Sequence, residues 1–438
     1  MFGSIKWSRS GVISIATAII AVIVAATVVL PFTILKSTSQ ILDMNKISKT
    51  VPHNFVNVDV LVIGSNNFTK IMNNYLEGKV KSIMCVNELN DTIVSQYAGL
   101  GKIVVMDSYW LKEHSNDVKI WKLIKKLYDA GTLIYIRGKY ACELLKLLNL
   151  MGLEEAVRKG KISKEAYEIQ RKIIIERYSK CEIRPNSGIG ILKISQNHDI
   201  VIYGSLRTAL KILKKVKTGQ YITLSGVSPS QCEKLTEYTI DNDDFGTGDP
   251  YGDALVMVTV CKIPESIQKY DWYFYYIRFE TVPGALEYNS GWETAHEYLY
   301  HKLPFGGWIN WFWDRDPTDT DAYAGGSATV TISLSVEDVG WSYSESYVIY
   351  WLKIIDKSNF QKYRVAWEAD FNEQKDPPDG PSTTSMLLKY GFIVKTLNGY
   401  CSFVDGKYGV MWGHPGWPWW SYKTFWTDTQ YLDLCPWW

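Results

Sequence analysis

The residues best suited to chemistry lie in the second half of the chain. "DRDPTDTD" sets Asp314, Asp316, Asp319 and Asp321 beside two threonines within eight residues, and such hard oxygens are what Ca2+ prefers. The glycine and the closing glutamate of an EF-hand loop are missing, so a solvated acidic turn competes with a calcium site. "DNDDFGTGD", from Asp241 to Asp249, carries the same two readings. "HEYLYH" places His296 and His301 five positions apart, whereas the helical zinc pair of H-E-x-x-H needs four; ordinary histidines are expected. Glu293, Glu297, Glu345 and Glu368 could serve as hydrolytic acids, but the separation across a cleft that makes a carboxylate pair catalytic is not written in a sequence.

Aromatic side chains form a second group. Fifteen of the eighteen tryptophans follow residue 270, and seven of them fall between Met411 and Trp438. Prolines 415, 418 and 436 hold that last stretch extended and keep it out of a central strand. Three uses compete: packing as a lid over a β core, stacking against sugar rings or another extended polymer, and lying at a lipid interface. For the stacking role the candidates are Trp308, Trp311, Trp313, Trp417, Trp419 and Trp420, with Trp412 and Trp426 expected inside.

A third group depends on its framework. "VDVLVIGS", "KSIMCV", "KIVVMDS" and "TLIYIRG" are short apolar runs that read as buried strands. Between the last two, Ile120, Leu123, Ile124 and Leu127 share one helical face that stops at Gly131. Such alternation predicts a mainly parallel sheet covered by helices. Ser65, Asn66, Asp107, Ser108, Arg137 and Lys139 then collect at the carboxyl edge, where open α/β sheets bind ligands. Neither G-x-G-x-x-G nor G-x-x-x-x-G-K-[ST] occurs, so no nucleotide cofactor is expected. "GIGILKIS" and "DIVIYGS" read as a hairpin, and Ser205 caps the amphipathic "LRTALKILKKVKTG".

From about Gly252 the period changes to two. "ATVTISLSV" alternates Val330, Ile332, Leu334 and Val336 with threonine and serine, and "YRVAWEADF" alternates in the same way. With "ALVMVTVCKI", "WYFYYIRFE", "YVIYWLKII" and "FIVKTLNGY", these predict an antiparallel β-sandwich. Seven cysteines without a C-x-x-C pair suggest buried small hydrophobes rather than a disulfide scaffold, and the odd count leaves one thiol over.

At the N-terminus, "GVISIATAIIAVIVAATVVLPFTIL" carries no charge, and twenty such residues span a hydrocarbon core as a helix. Lys6 and Arg9 before it orient the remainder of the chain outside. "SRSGVISIATAIIAVIVAATVV" resembles the class III signal of archaeal type IV pilin-like proteins. That resemblance implies cleavage between Ser10 and Gly11 and a filament subunit, although Ile15 stands where many such pilins carry glutamate.

The expected fold is α/β plus all-β. A tail (1–10) precedes a transmembrane helix (11–35) and a spacer (36–55). A Rossmann-like, flavodoxin-like domain (56–220), a linker (221–251) and a Trp-rich sandwich (252–438) follow. The expected function is that of a single-pass cell-surface protein, held by membrane lipid through residues 11–35, whose sandwich mediates adhesion to a glycan or a surface protein. A surface hydrolase and a pilin-like, homo-oligomeric subunit are the alternatives. A net charge of +1 with no basic block argues against nucleic acid as a partner.

Overall fold

The computed structural model describes residues 56–438, apart from 182, 185–186, 220–231, 265–268, 323–325, 372–384, 417–419 and 437–438. The expected transmembrane helix, the pilin-like signal, Trp417 and Trp419 all lie outside the described residues.

Four parallel strands open the described chain: β1 (Val56–Ile63), β2 (Val80–Val86), β3 (Lys102–Asp107) and β4 (Leu133–Arg137). The helices between them are α1 (Asn66–Leu76), α2 (Asp91–Tyr97), α3 (Ser108–Glu113) and α4 (Val118–Asp129). Ile124 and Leu127 of α4 are fully buried, and Gly131 stops that helix at φ 76°. The long helices α5 (Cys142–Arg158) and α6 (Lys164–Ser179) lead to the antiparallel pair β5 (Gly188–Ser195) and β6 (His198–Gly204). Helix α7 (Leu206–Lys217) is capped by Ser205, whose Oγ accepts from Thr208 N at 3.3 Å.

Next come β7 (Lys234–Ile240), the short helix α8 (Asn242–Phe245), β8 (Gly252–Lys262) and β9 (Tyr270–Pro283). A one-turn helix α9 (Gly284–Glu287) precedes β10 (Glu293–Lys302), β11 (Asn310–Asp316) and β12 (Thr320–Asp321). They are followed by β13 (Ser327–Val336), β14 (Trp341–Tyr350), β15 (Lys353–Asp356), β16 (Arg364–Asp370) and β17 (Met386–Leu397). The chain closes with β18 (Asp405–His414), β19 (Ser421–Trp426) and β20 (Gln430–Tyr431).

The two expected domains are one. A single eleven-stranded mixed sheet runs β11-β17-β9-β8-β7-β6-β5-β4-β3-β1-β2. It passes through the region expected to be a linker, because β7 pairs parallel with β6 and antiparallel with β8. Residues 56–438 accordingly form one compact unit. The parallel strands are therefore one end of a mainly β structure and not a Rossmann-like domain of their own. Strands β8, β9, β11 and β17, expected in a sandwich, belong to that same sheet. A second sheet, β12-β15-β16-β10-β18-β19 with β20 on β18, packs against its C-terminal half. Thr281 Oγ1 of β9 donates to Glu297 of β10 at 2.7 Å between the layers, and His301 lies 4.9 Å from Phe392. Strands β13 and β14 form a two-stranded sheet by themselves. Among the described residues no helix is long and apolar enough to cross a membrane.

Six of the seven cysteines pair, contrary to the expectation of buried thiols: Cys142–Cys181, Cys232–Cys261 and Cys401–Cys435. Their separations of 39, 29 and 34 residues lack the short spacing that reveals a framework in a sequence. The thiol left over is the exposed Cys85.

Candidate functional site

The carboxyl edge of the parallel strands gathers the polar residues expected there. Ile63 lies beside Met106, and Asp107 beside Arg137, so Ser65, Asn66, Asp107, Ser108, Arg137 and Lys139 follow three neighbouring strand ends. The order β2-β1-β3-β4 makes the chain reverse direction across β1 and β3, the topological position at which open sheets form a crevice.

Two of the polar side chains there hold the backbone. Ser65 Oγ accepts from Phe68 N at 3.3 Å, and Asp107 Oδ1 accepts from Tyr109 N at 3.0 Å. Burial raises the Asp107 carboxyl above its ordinary range despite that bond. Asn66 Oδ1 accepts from Asn87 Nδ2 at 2.9 Å, and Arg137 Nη1 lies 3.4 Å from the Met72 sulfur. Lys139 sits over the Tyr140 ring at 6.0 Å. Ser108 is fully buried and its hydroxyl has no partner. A Cβ at Gly138 would meet that hydroxyl at 2.7 Å. Two of these residues, Ser65 and Asp107, cap helices, and the others hold local side-chain contacts or lie buried.

The aromatic candidates divide between two sheets. Trp311 and Trp313 belong to β11, the free edge of the large sheet, with Trp308 in the turn before it. Trp308 is 54% and Trp313 is 47% exposed. Trp313 stands edge-on to the buried Trp272 at 5.0 Å, and Trp311 edge-on to Tyr270 at 6.4 Å. Lys395, opposite Trp311 on β17, holds its ammonium 3.9 Å from the Tyr270 ring and 5.1 Å from both Trp272 and Trp313. The result is an aromatic edge around one cation, in which attraction to the ring faces fixes the lysine. Lys395, Tyr270 and Trp272 were not among the sequence candidates; only the pairing of β17 with β11 on one side and β9 on the other brings them together. Trp420 stacks on Tyr422 at 6.4 Å beside the second sheet. Trp412 is fully buried as expected, but Trp426 is 37% exposed, stacked on Tyr298. The tryptophan-rich C-terminal stretch is thus partly core and partly surface.

The four aspartates of "DRDPTDTD" separate. Asp314 accepts from Arg315 N at 2.8 Å, Asp316 from Ser333 N at 2.7 Å and Asp319 from Asp356 N at 2.6 Å, while Asp321 lies on β12. The first three each hold a different backbone N–H, and among the described residues no three acidic, histidine or cysteine side chains converge as a metal site would need. His296 and His301, five apart on a strand, point to opposite faces. His296 Nδ1 lies 3.2 Å from Glu368, whereas His301 is buried against Tyr408 OH at 3.0 Å and burial lowers its pKa to about 3.

Of the four candidate acids, Glu345 is tied to Lys389 and Tyr276, Glu368 to His296 and Lys357, and Glu293 begins β10. Glu297 is fully enclosed between the sheets, and burial pushes its carboxyl up to about 8.

No family model matches the chain, and no curated protein does. Among solved structures, one described as "Pore forming protein" is 8% identical and covers 45% of this chain and 88% of its own, with a TM-score of 0.27. The Clostridium perfringens NetB toxin in its membrane-inserted form is 9% identical, over 46% of this chain and 94% of its own, with a TM-score of 0.20. Likeness at these scores assigns neither a fold nor an activity to this chain.

Proposed function

We propose that this chain is a binding protein of an oxidising compartment that presents the aromatic edge of its large sheet to a glycan. The observation that carries the reading is the pair of half-exposed indoles, Trp308 and Trp313, beside and on the edge strand β11. Flat rings held by edge-on partners lose little entropy when a sugar ring stacks on them, and Lys395 adds a donor at their centre. The three disulfides support the compartment, since such bonds persist where thiols are not kept reduced. The hydrolase alternative has less behind it, because Glu297 is enclosed and Glu345 and Glu368 are engaged in ion pairs.

The test is retention of the chain on immobilised cell-surface polysaccharide, with Trp308→Ala and Trp313→Ala compared with the parent. Each change is expected to lower retention about tenfold while the melting temperature moves little, because these rings are half outside the core. Unchanged retention in both variants would sink the reading.

A further inference from the structure

The hairpin of β13 and β14 has features that covering the large sheet does not require. Its ten residue pairs run in unbroken register from Ser327↔Tyr350 to Val336↔Trp341, and it forms a backbone ladder with neither main sheet. Side chains alone hold it down. Ile332, Leu334 and Val336 pack in one cluster with Phe274 and Ile393, and Tyr347 OH donates to Lys389 O at 2.8 Å. The opposite face is open to water and mostly hydroxyl, with Thr331 facing Ser346 at 2.8 Å and Ser333 paired with Ser344, while Val348 and Tyr350 stand exposed on it toward the base.

We propose that this hairpin is a membrane-inserting element, which leaves the large sheet at a lipid bilayer and closes a β-barrel with the hairpins of further copies of this chain. Ten residues per strand at about 3.3 Å each, tilted by about 40°, span roughly 25 Å, the height of the apolar band of a membrane barrel. The alternation along β13 is what such a strand needs, aliphatic side chains toward lipid and small hydroxyls toward a wet lumen, while β14 turns Trp341, Tyr343, Tyr347 and Ile349 to the apolar side. Aromatics mark both ends, Trp341 and Tyr343 beside the turn and Trp351 at the base, where a barrel carries its interfacial girdles. The turn itself is acidic, with Glu337 and Asp338, and suits the aqueous far side.

The base is built to pivot. Gly326 (φ 72°) and Trp351 (φ 55°) are both left-handed and joined by one bond, Trp351 N to Gly326 O at 3.2 Å. A tryptophan in that region is strained, and a change of backbone angle would release the strain. More than one copy is required, because a lone hairpin would leave two strand edges unpaired in hydrocarbon. One feature opposes insertion. Glu345 lies on the apolar face opposite Ile332, where it pairs with Lys389 and accepts from Tyr276 OH at 2.6 Å. That contact is the latch which keeps the hairpin on the sheet.

The experiment uses the full chain carrying Cys85→Ser, with one new cysteine at Leu334 or at Ser333 labelled by an environment-sensitive fluorophore. The protein is added to vesicles of phosphatidylcholine and phosphatidylglycerol that contain doxyl-labelled chains and an entrapped dye. Doxyl quenching is expected at 334 and not at 333, together with dye release, and Glu345→Gln should quicken release several-fold. Should Leu334→Cys not fold, Ala328→Cys and Thr329→Cys give the same comparison at half-buried and exposed positions. Because the reporter sits on the hairpin, insertion of the apolar residues 11–35 cannot imitate the signal. Equal quenching at both positions, absence of quenching, or dye release while the hairpin remains unquenched would each overturn the proposal.

Discussion

Arg177 and Asp433, 256 residues apart in sequence, form a forked ion pair inside the protein: Nε to Oδ2 at 3.0 Å and Nη2 to Oδ1 at 2.7 Å. Tyr178 OH donates to the same carboxylate at 2.9 Å, and the remaining guanidinium nitrogen meets Asp405. The pair ties α6 to the end of the chain, one residue before Leu434 and two before Cys435. Asp433→Ala leaves a buried guanidinium short of its main partner, so a loss of about 3–5 kcal/mol is expected. Urea unfolding followed by tryptophan fluorescence measures it; a loss below about 1 kcal/mol would mean that Asp405 suffices.

The continuous sheet bears on how the chain can be divided. Residues 56–219 and 252–438, expressed separately, are expected to lack cooperative melting, since each exposes a strand edge that β7 covers in the whole chain. A sharp calorimetric transition for either piece alone would show that the sheet is two folding units joined at β7.

Glu297 makes stability depend on pH in a definite sense. Its folded pKa of about 8 lies above the ordinary carboxylate value, so between about pH 4.5 and 8 the native state holds a proton that the unfolded chain releases. Stability is therefore complete below that window and falls as pH rises through it, by several kcal/mol at this degree of burial. Glu297→Gln keeps an acceptor for Thr281 and is expected to flatten the decline. A decline of equal depth in the variant would place its source elsewhere.

Trp412 and Trp420 separate core from surface in the C-terminal stretch. Trp412 is wholly enclosed, with Nε1 donating to Thr247 Oγ1 at 2.9 Å, so Trp412→Ala is expected to cost about 3–5 kcal/mol. Trp420, stacked on Tyr422 at the rim, should cost less than about 1 kcal/mol when replaced by alanine. Equal costs in denaturant titrations would mean that both rings belong to the core.

Local elements were legible because local physics sets them. The apolar face of α4, the Ser205 cap and the alternation along β13 and β16 each follow from a period or a hydrogen bond within a few residues. The strand-end residues could be placed at one edge for the same reason, since parallel strands must end together. Alternation, however, fixes which face of a strand is buried and says nothing about which strand lies beside it. Hence β8 and β9 read as sandwich strands while in fact extending the parallel sheet through β7, and the β13–β14 hairpin read as sandwich while standing apart from it. The cysteine pairs, the Arg177–Asp433 fork and the rings around Lys395 are likewise contacts between distant segments. Only the closure of the whole chain brings such partners within reach, because no local energy term distinguishes one distant partner from another.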